Sequence, residues 1–570
     1  MENKEISKIL KFTGRVMELH GENDFKTRGY SIASYKIDQL TDPLEPLAVE
    51  DIAALDGLGK SMAAKIRQLI DTQKLQVLED FLEKTPTGVL EMMELKGIGP
   101  KKIKVVWKEL GVEDVESLEK ACLGGEVAKL KGFGAKTQQT ILDAIAYRKA
   151  NQGLLLYAEA EIIANELVAL LHDHFETEIA IIGELRRKCE IVQNIEILVG
   201  DLGKEAATIR DFLETLENLA HAKEKSGPFV WRGHIKAPHI ALTVQFCKKE
   251  SFTNQLLAKS ASIEHLNYHH DGKSLLDRLK QETYQSEQDI YAAMNLPYIA
   301  PELREGQFEY GLAEKNLLPN LISHEDIKGI IHCHSTYSDG AHSLEEMATH
   351  CKESGFEYLG ITDHSKTAVY ASGLKEDDIK RQHEEIDRLN EKLYPFRIFK
   401  GIESDILGDG SLDYADDVLD SFDFFIGSVH ANIKKQKAQA TERIIRAIEN
   451  PYTTMIGHLT ARVLLQRPGY PVDYDQIIEA CIKNDVILEV NAHPSRLDLD
   501  WRYLRQALDQ GMITSINPDS HRKEGYGDIY YGTQVARKAG LEAAQCLNAR
   551  PLTEVAAYFE DRKKKALARS

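Results

Sequence analysis

The sequence of 570 residues is poor in cysteine: there are seven, scattered, with no CxxC pair. That usage fits a reducing cytoplasm in which the thiols are simply buried. No apolar run is long enough to cross a bilayer, and the charged start, Met-Glu-Asn-Lys-Glu, leads into no signal-like stretch. A cytoplasmic protein with no membrane partner is therefore expected. Low-complexity tracts are missing as well. Positive charge is short, with 71 Lys+Arg against 90 Asp+Glu and a net charge of −19. This excludes a broad electrostatic footprint for a polyanion, though not local phosphate contacts through backbone amides. The deficit is uneven. Residues 1–150 hold 23 Lys+Arg and 24 Asp+Glu, so almost all of the excess acid lies downstream, where carboxylates can serve as metal ligands. The length excludes a single core and predicts three or four domains.

One short pattern occurs three times: Leu55-Asp-Gly-Leu-Gly-Lys60, Leu95-Lys-Gly-Ile-Gly-Pro100 and Leu130-Lys-Gly-Phe-Gly-Ala135. Each follows a helix-like stretch and opens another. The glycine pairs Gly57 and Gly59, Gly97 and Gly99, and Gly132 and Gly134 allow a tight turn and close backbone approach. The amides at the next helix start favour phosphate without reading sequence. A lysine (Lys60, Lys101, Lys136) stands within two residues of each second glycine. The three patterns resemble helix-hairpin-helix motifs, which bind DNA through its backbone.

Two further stretches carry a resemblance. Phe25-Lys-Thr-Arg-Gly-Tyr30, with the first hairpin behind it, is similar to the small N-terminal domain of family X DNA polymerases. There the resemblance implies a deoxyribose-phosphate lyase whose nucleophile is matched by Lys65, and a lysine of suitable pKa can form a Schiff base. Gly183-Glu-Leu-Arg-Arg187, followed by the alternating strand from Ile195, resembles the palm of the same family. The family's Gly-Ser-x-Arg-Arg motif has Glu184 in place of serine and keeps Arg187. Its three catalytic carboxylates map to Asn194, Glu196 and Ala241. Magnesium needs oxygen ligands in near-octahedral array, and two ions cannot be held by one glutamate. Magnesium in the palm is therefore not expected, and the polymerase chemistry is expected to be lost from a scaffold that persists.

From about residue 326 onward, apolar strands alternate with helical segments, which predicts a parallel β/α array. Ligand-type residues follow these strands. Ile331-His-Cys-His334 puts two imidazoles at i and i+2, read as one face of a strand. Asp339 follows in a loop. Ile361-Thr-Asp-His364, Phe399-Lys-Gly-Ile-Glu403, Phe424-Phe-Ile-Gly-Ser-Val-His430 and Met455-Ile-Gly-His458 end successive strands, and Asp519 and His521 are read as another same-face pair. In a β/α barrel such ends gather on one face. Asp363 and His493 read as scaffold. Imidazole mixed with carboxylate suits manganese first, with zinc or iron as alternatives, over magnesium.

This pattern closely resembles the PHP (polymerase and histidinol phosphatase) domain, a distorted seven-stranded β/α barrel. The resemblance implies a site for two or three divalent metals, held by His332, His334, Asp339, His364, Glu403, His430, His458, Asp519 and His521. Lys366, Arg462 and Arg496 are candidates to touch substrate phosphates. The expected architecture is a multidomain α/β protein. A lyase-like helical domain spans 1–85, a second helix-hairpin-helix domain 86–150, an α+β palm and thumb of nucleotidyltransferase type 151–317, and a PHP barrel 326–570. The whole resembles bacterial family X DNA polymerases with a C-terminal PHP domain. The resemblance implies a metal-dependent 3′-to-5′ exonuclease acting on gapped, nicked or 3′-ended DNA. The alternatives are an active gap-filling polymerase with unusual metal ligands, a small-molecule phosphatase of histidinol-phosphatase type, and a non-catalytic DNA-end scaffold.

Overall fold

A computed structural model describes residues 1–568 except 39, 41, 96 and 433–435, so Lys96 of the second hairpin lies outside the described residues. The chain divides into two compact units, Met1–Gln152 and Gly153–Ser570. The first is helical. Its three glycine hairpins each lead into a helix, at Lys60–Thr72, Pro100–Leu110 and Ala135–Ala150. The apolar residue between the two glycines plugs the turn into the core: Leu58 and Ile98 are buried and Phe133 is partly so. One continuous hydrophobic core runs from Ile6 to Ile145. It crosses the boundary expected near residue 85.

The second unit holds two large sheets, beside two short two-stranded ones. The first contains β1 (Ile179–Ile182), β2 (Asn194–Val199), β3 (Leu219–His221), β4 (Val230–Ile235) and β5 (Ile240–Phe246), in the order β1-β2-β5-β4-β3. Only the β2–β5 pair is parallel. The other sheet is the barrel: β6 (Gly329–Ile331), β7 (Tyr358–Ile361), β8 (Arg397–Asp405), β9 (Phe424–Ser428), β10 (Met455–Ile456), β11 (Ile487–Asn491) and β12 (Thr514–Asn517). These seven strands pair in sequence order, all parallel.

The two-residue period of a strand explains how one face carries both core and site. In β8, Phe399, Gly401 and Glu403 share a face; in β9 and just past it, Phe424, Ile426, Ser428 and His430; in β11, Ile487, Glu489 and Asn491. The apolar members form an inner layer with Ile331, Tyr358 and Met455. The C-terminal helix, Leu552–Leu567, closes that end, with Phe559 stacked on Phe424 at 4.7 Å between ring centroids. Gly401 is needed here, because a side chain would meet the Phe424 ring at 2.4 Å. The polar members stand one layer further along, towards the strands' C-terminal ends. The first and last strands meet at a seam. Cys333 bridges Ser520 just beyond their ends, and the Asn548 side chain bonds Gly329 O and both backbone groups of Ile516.

Several strand expectations change. The strands before His364, His430 and His458 stop at Ile361, Ser428 and Ile456. Asp519 and His521 do not share a strand face, because β12 stops at Asn517 and Asp519 has φ +51°. His332 and His334 do not share a strand face, because β6 stops at Ile331 and His332 has φ +139°. That turn lets Ile331 and His332 both reach the interior. β8 does not end at Glu403 but continues to Asp405.

Candidate metal centre

Glu403 stands at the middle of the site, fully buried, with its carboxylate among five imidazoles. The nearest approaches are 2.9 Å to His364 Nδ1, 3.0 Å to His458 Nε2, 3.2 Å to His430 Nε2, 3.5 Å to His332 Nε2 and 3.7 Å to His334 Nε2. Around it the donor atoms converge in three groups: His334, Asp339, His364 and His521; His332, His334 and Asp519; and His364, Glu403 and His430. His334 and His364 are each shared by two groups. His458 stands outside them but contacts Glu403 directly. All nine residues expected from the sequence therefore meet in one place.

Several rings are oriented from behind. His332 donates through Nδ1 to Glu489 at 2.6 Å, His430 through Nδ1 to Asp405 at 2.5 Å, and His521 through Nδ1 to the Asp519 carbonyl at 3.1 Å. With Nδ1 engaged, each Nε2 faces the cluster, where a cation can take the place of its proton. Asp363 staples the loop that carries Asp339, accepting from the amides and hydroxyls of Ser335 and Ser338 and from Gln382. His493 hydrogen-bonds with Ser495 and is in none of the three groups.

Burial opposes ionisation of the carboxylates, but the surrounding imidazoles prevail. Glu403 and Asp519 are held well below the usual carboxylate range, and Asp339 falls to about 2. Burial, reinforced by His521 and His364, lowers His334 to about 3. His430 and His521 go the other way despite burial, to about 10 and about 9, because of Glu403 and Asp405 and of Asp339 and Asp519 respectively.

The residues fit divalent cations on structural grounds. Buried polar atoms seldom lack a partner, yet His332 Nε2, His334 Nδ1, His364 Nδ1, His458 Nδ1 and Glu403 Oε2 all have no hydrogen bond. His364 Nδ1 and Glu403 Oε2 approach to 2.9 Å without hydrogen-bond geometry. Two acceptors facing one another in this way suit a shared cation, and mixed imidazole and carboxylate donors suit a divalent transition metal.

The candidate phosphate contacts separate. Arg496 is at the site, its Nε 3.9 Å from Asp519 Oδ2 and its buried Nη1 without a hydrogen-bond partner. Lys366 pairs with Glu376 at 3.0 Å. Arg462 is committed to the scaffold through Asp500 and the carbonyls of Arg496 and Leu497.

In the other sheet, β2 and β5 pair Asn194 with Ala241 and Glu196 with Thr243. The three mapped carboxylate positions are thus neighbours, but only Glu196 carries a carboxyl. Burial and the nearby Glu184 raise its pKa. Asn194 donates to Thr243 Oγ1 at 3.0 Å, Glu184 accepts from the Gln193 amide at 2.7 Å, and Arg187 donates to Glu305 at 3.1 Å. In the helical unit, Lys65 donates to Ser61 at 3.2 Å and lies 5.5 Å from the centre of the Tyr30 ring.

Sequence reasoning missed Glu489 and Asp405. Glu489 is fully buried and also accepts from the His458 amide at 2.7 Å and Asn517 Nδ2 at 3.0 Å, so one side chain positions two imidazoles. The signal was present in Ile487-Leu-Glu-Val-Asn491, where an acid interrupts an apolar strand as Glu403 does. Such a partner of a ligating imidazole contributes about 10–100-fold in metal affinity or activity. Glu489→Gln is expected to cost that much in the manganese concentration needed for half-maximal activity, with the melting temperature little changed. An unchanged manganese titration would deny Glu489 this role.

Comparison with known proteins agrees with the geometry. Residues 1–75 match the helix-hairpin-helix domain family, 89–146 the SAM-like helix-hairpin-helix tandem and 331–493 the PHP domain. Asp519 and His521 lie beyond the last match, although Asp519 is 3.1 Å from His334. A "Probable phosphatase" of Acetivibrio thermocellus is 31% identical over 199 residues, 33% of this chain and 78% of the relative. "Probable phosphatase YcdX" of Escherichia coli O127:H6 is 26% identical over 236 residues, 39% of this chain and 89% of the relative. The "DNA polymerase/3'-5' exonuclease PolX" of Bacillus subtilis is 34% identical over 579 residues, covering 98% of this chain and all of the relative. With a full-length match of that identity, and with hairpin and PHP domains at the two ends, the chain belongs to the DNA polymerase/3′-5′ exonuclease PolX family.

Proposed function

We propose that this chain is a metal-dependent 3′-to-5′ exodeoxyribonuclease that works through its PHP barrel, on a polymerase scaffold that no longer extends primers. The observation that carries this reading is the Glu403 cluster: nine ligand-type residues converge and five buried donor atoms lack partners. Two or three divalent ions, manganese by preference, would be held by the nine residues and would supply Lewis acidity and charge neutralisation to the scissile phosphate. The protein's own part is orientation. Glu489, Asp405 and the Asp519 carbonyl fix the imidazoles before substrate arrives, and Arg496 offers a donor beside Asp519. The test is a 5′-labelled duplex incubated with manganese. Stepwise shortening from the 3′ end is expected, and undiminished degradation after exhaustive chelation would defeat the reading.

The hairpins supply the grip on gapped, nicked or 3′-ended DNA in this proposal. In each, the first glycine needs a positive φ: +79° at Gly57, +90° at Gly97 and +83° at Gly132. The second (Gly59, Gly99, Gly134) caps the next helix without any side-chain bond, leaving first-turn amides open to a phosphate. A Cβ at these second positions would meet nothing within 4 Å, so internal packing does not demand glycine there. Close approach of a ligand backbone does. The triple variant Gly59→Val, Gly99→Val, Gly134→Val is therefore expected to stay folded and to bind gapped DNA at least about tenfold more weakly, a loss of about 1.4 kcal/mol. Binding as tight as the parent's would make the hairpins purely structural. We further propose that the four expected regions, 1–85, 86–150, 151–317 and 326–570, divide the labour. Two grip DNA, the third is a mount, and the fourth cuts.

A further inference from the structure

Beside the metal centre, a short loop leaves the barrel and returns. It departs after His364, and it closes where Ser365 bridges Leu374 and the Leu374 amide donates to the His364 carbonyl at 2.9 Å. The loop is pinned from within. The Thr367 amide donates to Asp413 at 2.7 Å, and its hydroxyl bonds Asp405 at 2.7 Å and Asp413 at 2.9 Å. Ala368 and Ala371 are buried, and a side chain at Gly373 would collide with the Ser365 carbonyl. On this fixed base the tip turns two apolar side chains outward: Val369 is 82% exposed and Tyr370 71% exposed. The Tyr370 ring nevertheless lies at the rim of the site, its centroid 6.2 Å from that of His364 and 6.5 Å from that of His430.

An aromatic ring held exposed on a pinned loop at the rim of the site offers its face to an apolar ligand surface. Two adjacent side chains are far too small a patch for a protein partner, whose interface buries about 800 Å² on each side. The ring does match one nucleobase. A nucleotide whose phosphate lies among the imidazoles of His364 and His430 carries its base within reach of their immediate neighbour. Base–aromatic stacking is indifferent to sequence, as a nuclease without sequence preference requires.

We propose that Tyr370, backed by Val369, is a stacking platform for the base of the 3′-terminal nucleotide, and that it sets the substrate class of the site as nucleic acid over small phosphate esters. The proposal rests on the phosphoesterase reading given above. Stacking of one base contributes about 1–3 kcal/mol, which converts to about 5–150-fold at about 1.4 kcal/mol per tenfold.

The test compares two oligonucleotides, identical except that one ends in a normal 3′ nucleotide and the other in a 3′ tetrahydrofuran abasic residue. With the full chain and manganese, Tyr370→Ala is expected to lower kcat/KM on the first by that factor and to leave the second unchanged, while Tyr370→Phe retains the parent's rates. A second readout needs no turnover. In the His332→Ala background, a 3′-terminal 2-aminopurine is expected to lose fluorescence on binding when Tyr370 is present and to stay bright with Tyr370→Ala. Equal losses on both oligonucleotides, or none on either, would overturn the platform while leaving the nuclease intact. A parent protein that shortens neither oligonucleotide would overturn the nuclease and the platform together.

Discussion

Replacing His332 and His334 together by alanine is expected to abolish manganese-dependent shortening of DNA while leaving DNA binding at the parent's level. His334 serves two of the three donor groups, and His332 presents its Nε2 to Glu403 and Asp519 at 3.5 Å each. Removing both empties one group of its imidazoles. Each such loss costs on the order of 3 kcal/mol of transition-state stabilisation, and about 1.4 kcal/mol is a factor of ten, so the pair takes the rate down by at least about a thousandfold. Both side chains are fully buried, and their removal takes one hydrogen bond each from the buried carboxylates of Glu489 and Asp519, so part of the protein's stability goes too. Asp339→Asn separates the two effects. Its side chain is a quarter exposed and faces His521 and His364 at 3.3 and 3.6 Å. It is expected to melt like the parent yet lose most of the activity. The measurements are a gel assay on 3′-ended duplex, a binding isotherm on the same DNA and a melting curve. A folded double variant that still degrades DNA at the parent's rate would remove the assignment of the centre.

No template-directed extension is expected on a gapped primer–template, even with the nuclease silenced by His332→Ala to protect the product. Nucleotidyl transfer of the family's kind needs two divalent ions bridged by carboxylates. The β2–β5 register brings the three mapped positions together as Asn194, Ala241 and Glu196. One position offers a neutral amide and another no oxygen at all. Glu196 is further weakened as a ligand because burial and Glu184 favour its protonated form. Glu184 also adds a second carboxylate near Glu196, and Arg187 is engaged with Glu305. Losing one such ligand already costs several kcal/mol, against about 1.4 kcal/mol for each tenfold in rate. The relevant measurement follows a labelled primer with all four deoxynucleoside triphosphates and either magnesium or manganese. Robust extension by the silenced protein would show that other carboxylates complete a working palm.

The barrel site was readable because its chemistry follows the strand period. Glu403 shares a face with Phe399, and His430 with Phe424, so an apolar stretch that closes in a ligand betrays both the core and the rim. Glu489 obeys the same rule, but the apolar run continues past it to Val490, so the acid does not close its stretch as Glu403 does. The backbone at His332 could not be read. Its positive φ follows from how β6 meets the last strand at the seam, a tertiary matter. Nor could the fate of Arg462. A cation near a motif is visible in sequence, whereas the carbonyls of Arg496 and Leu497 and the Asp500 carboxylate that claim it are not. The resemblance divides the hairpin region near residue 85. The apolar faces of its helices share one hydrophobic core from Ile6 to Ile145, a continuity that no local motif announces.

The seam between the first and last barrel strands also governs when the enzyme can come into being. His334 and Asp519 are 3.1 Å apart in space and 185 residues apart in sequence. Contacts of such separation form late, after the intervening chain has been ordered. During synthesis the hairpin unit emerges first, while every nascent chain that stops short of β12 lacks Asp519 and His521 and leaves the seam with β6 open. Cutting power thus arrives last, in one step, when the seventh strand docks beside the first. A polypeptide interrupted between the hairpin unit and β12 keeps the grip and lacks the teeth.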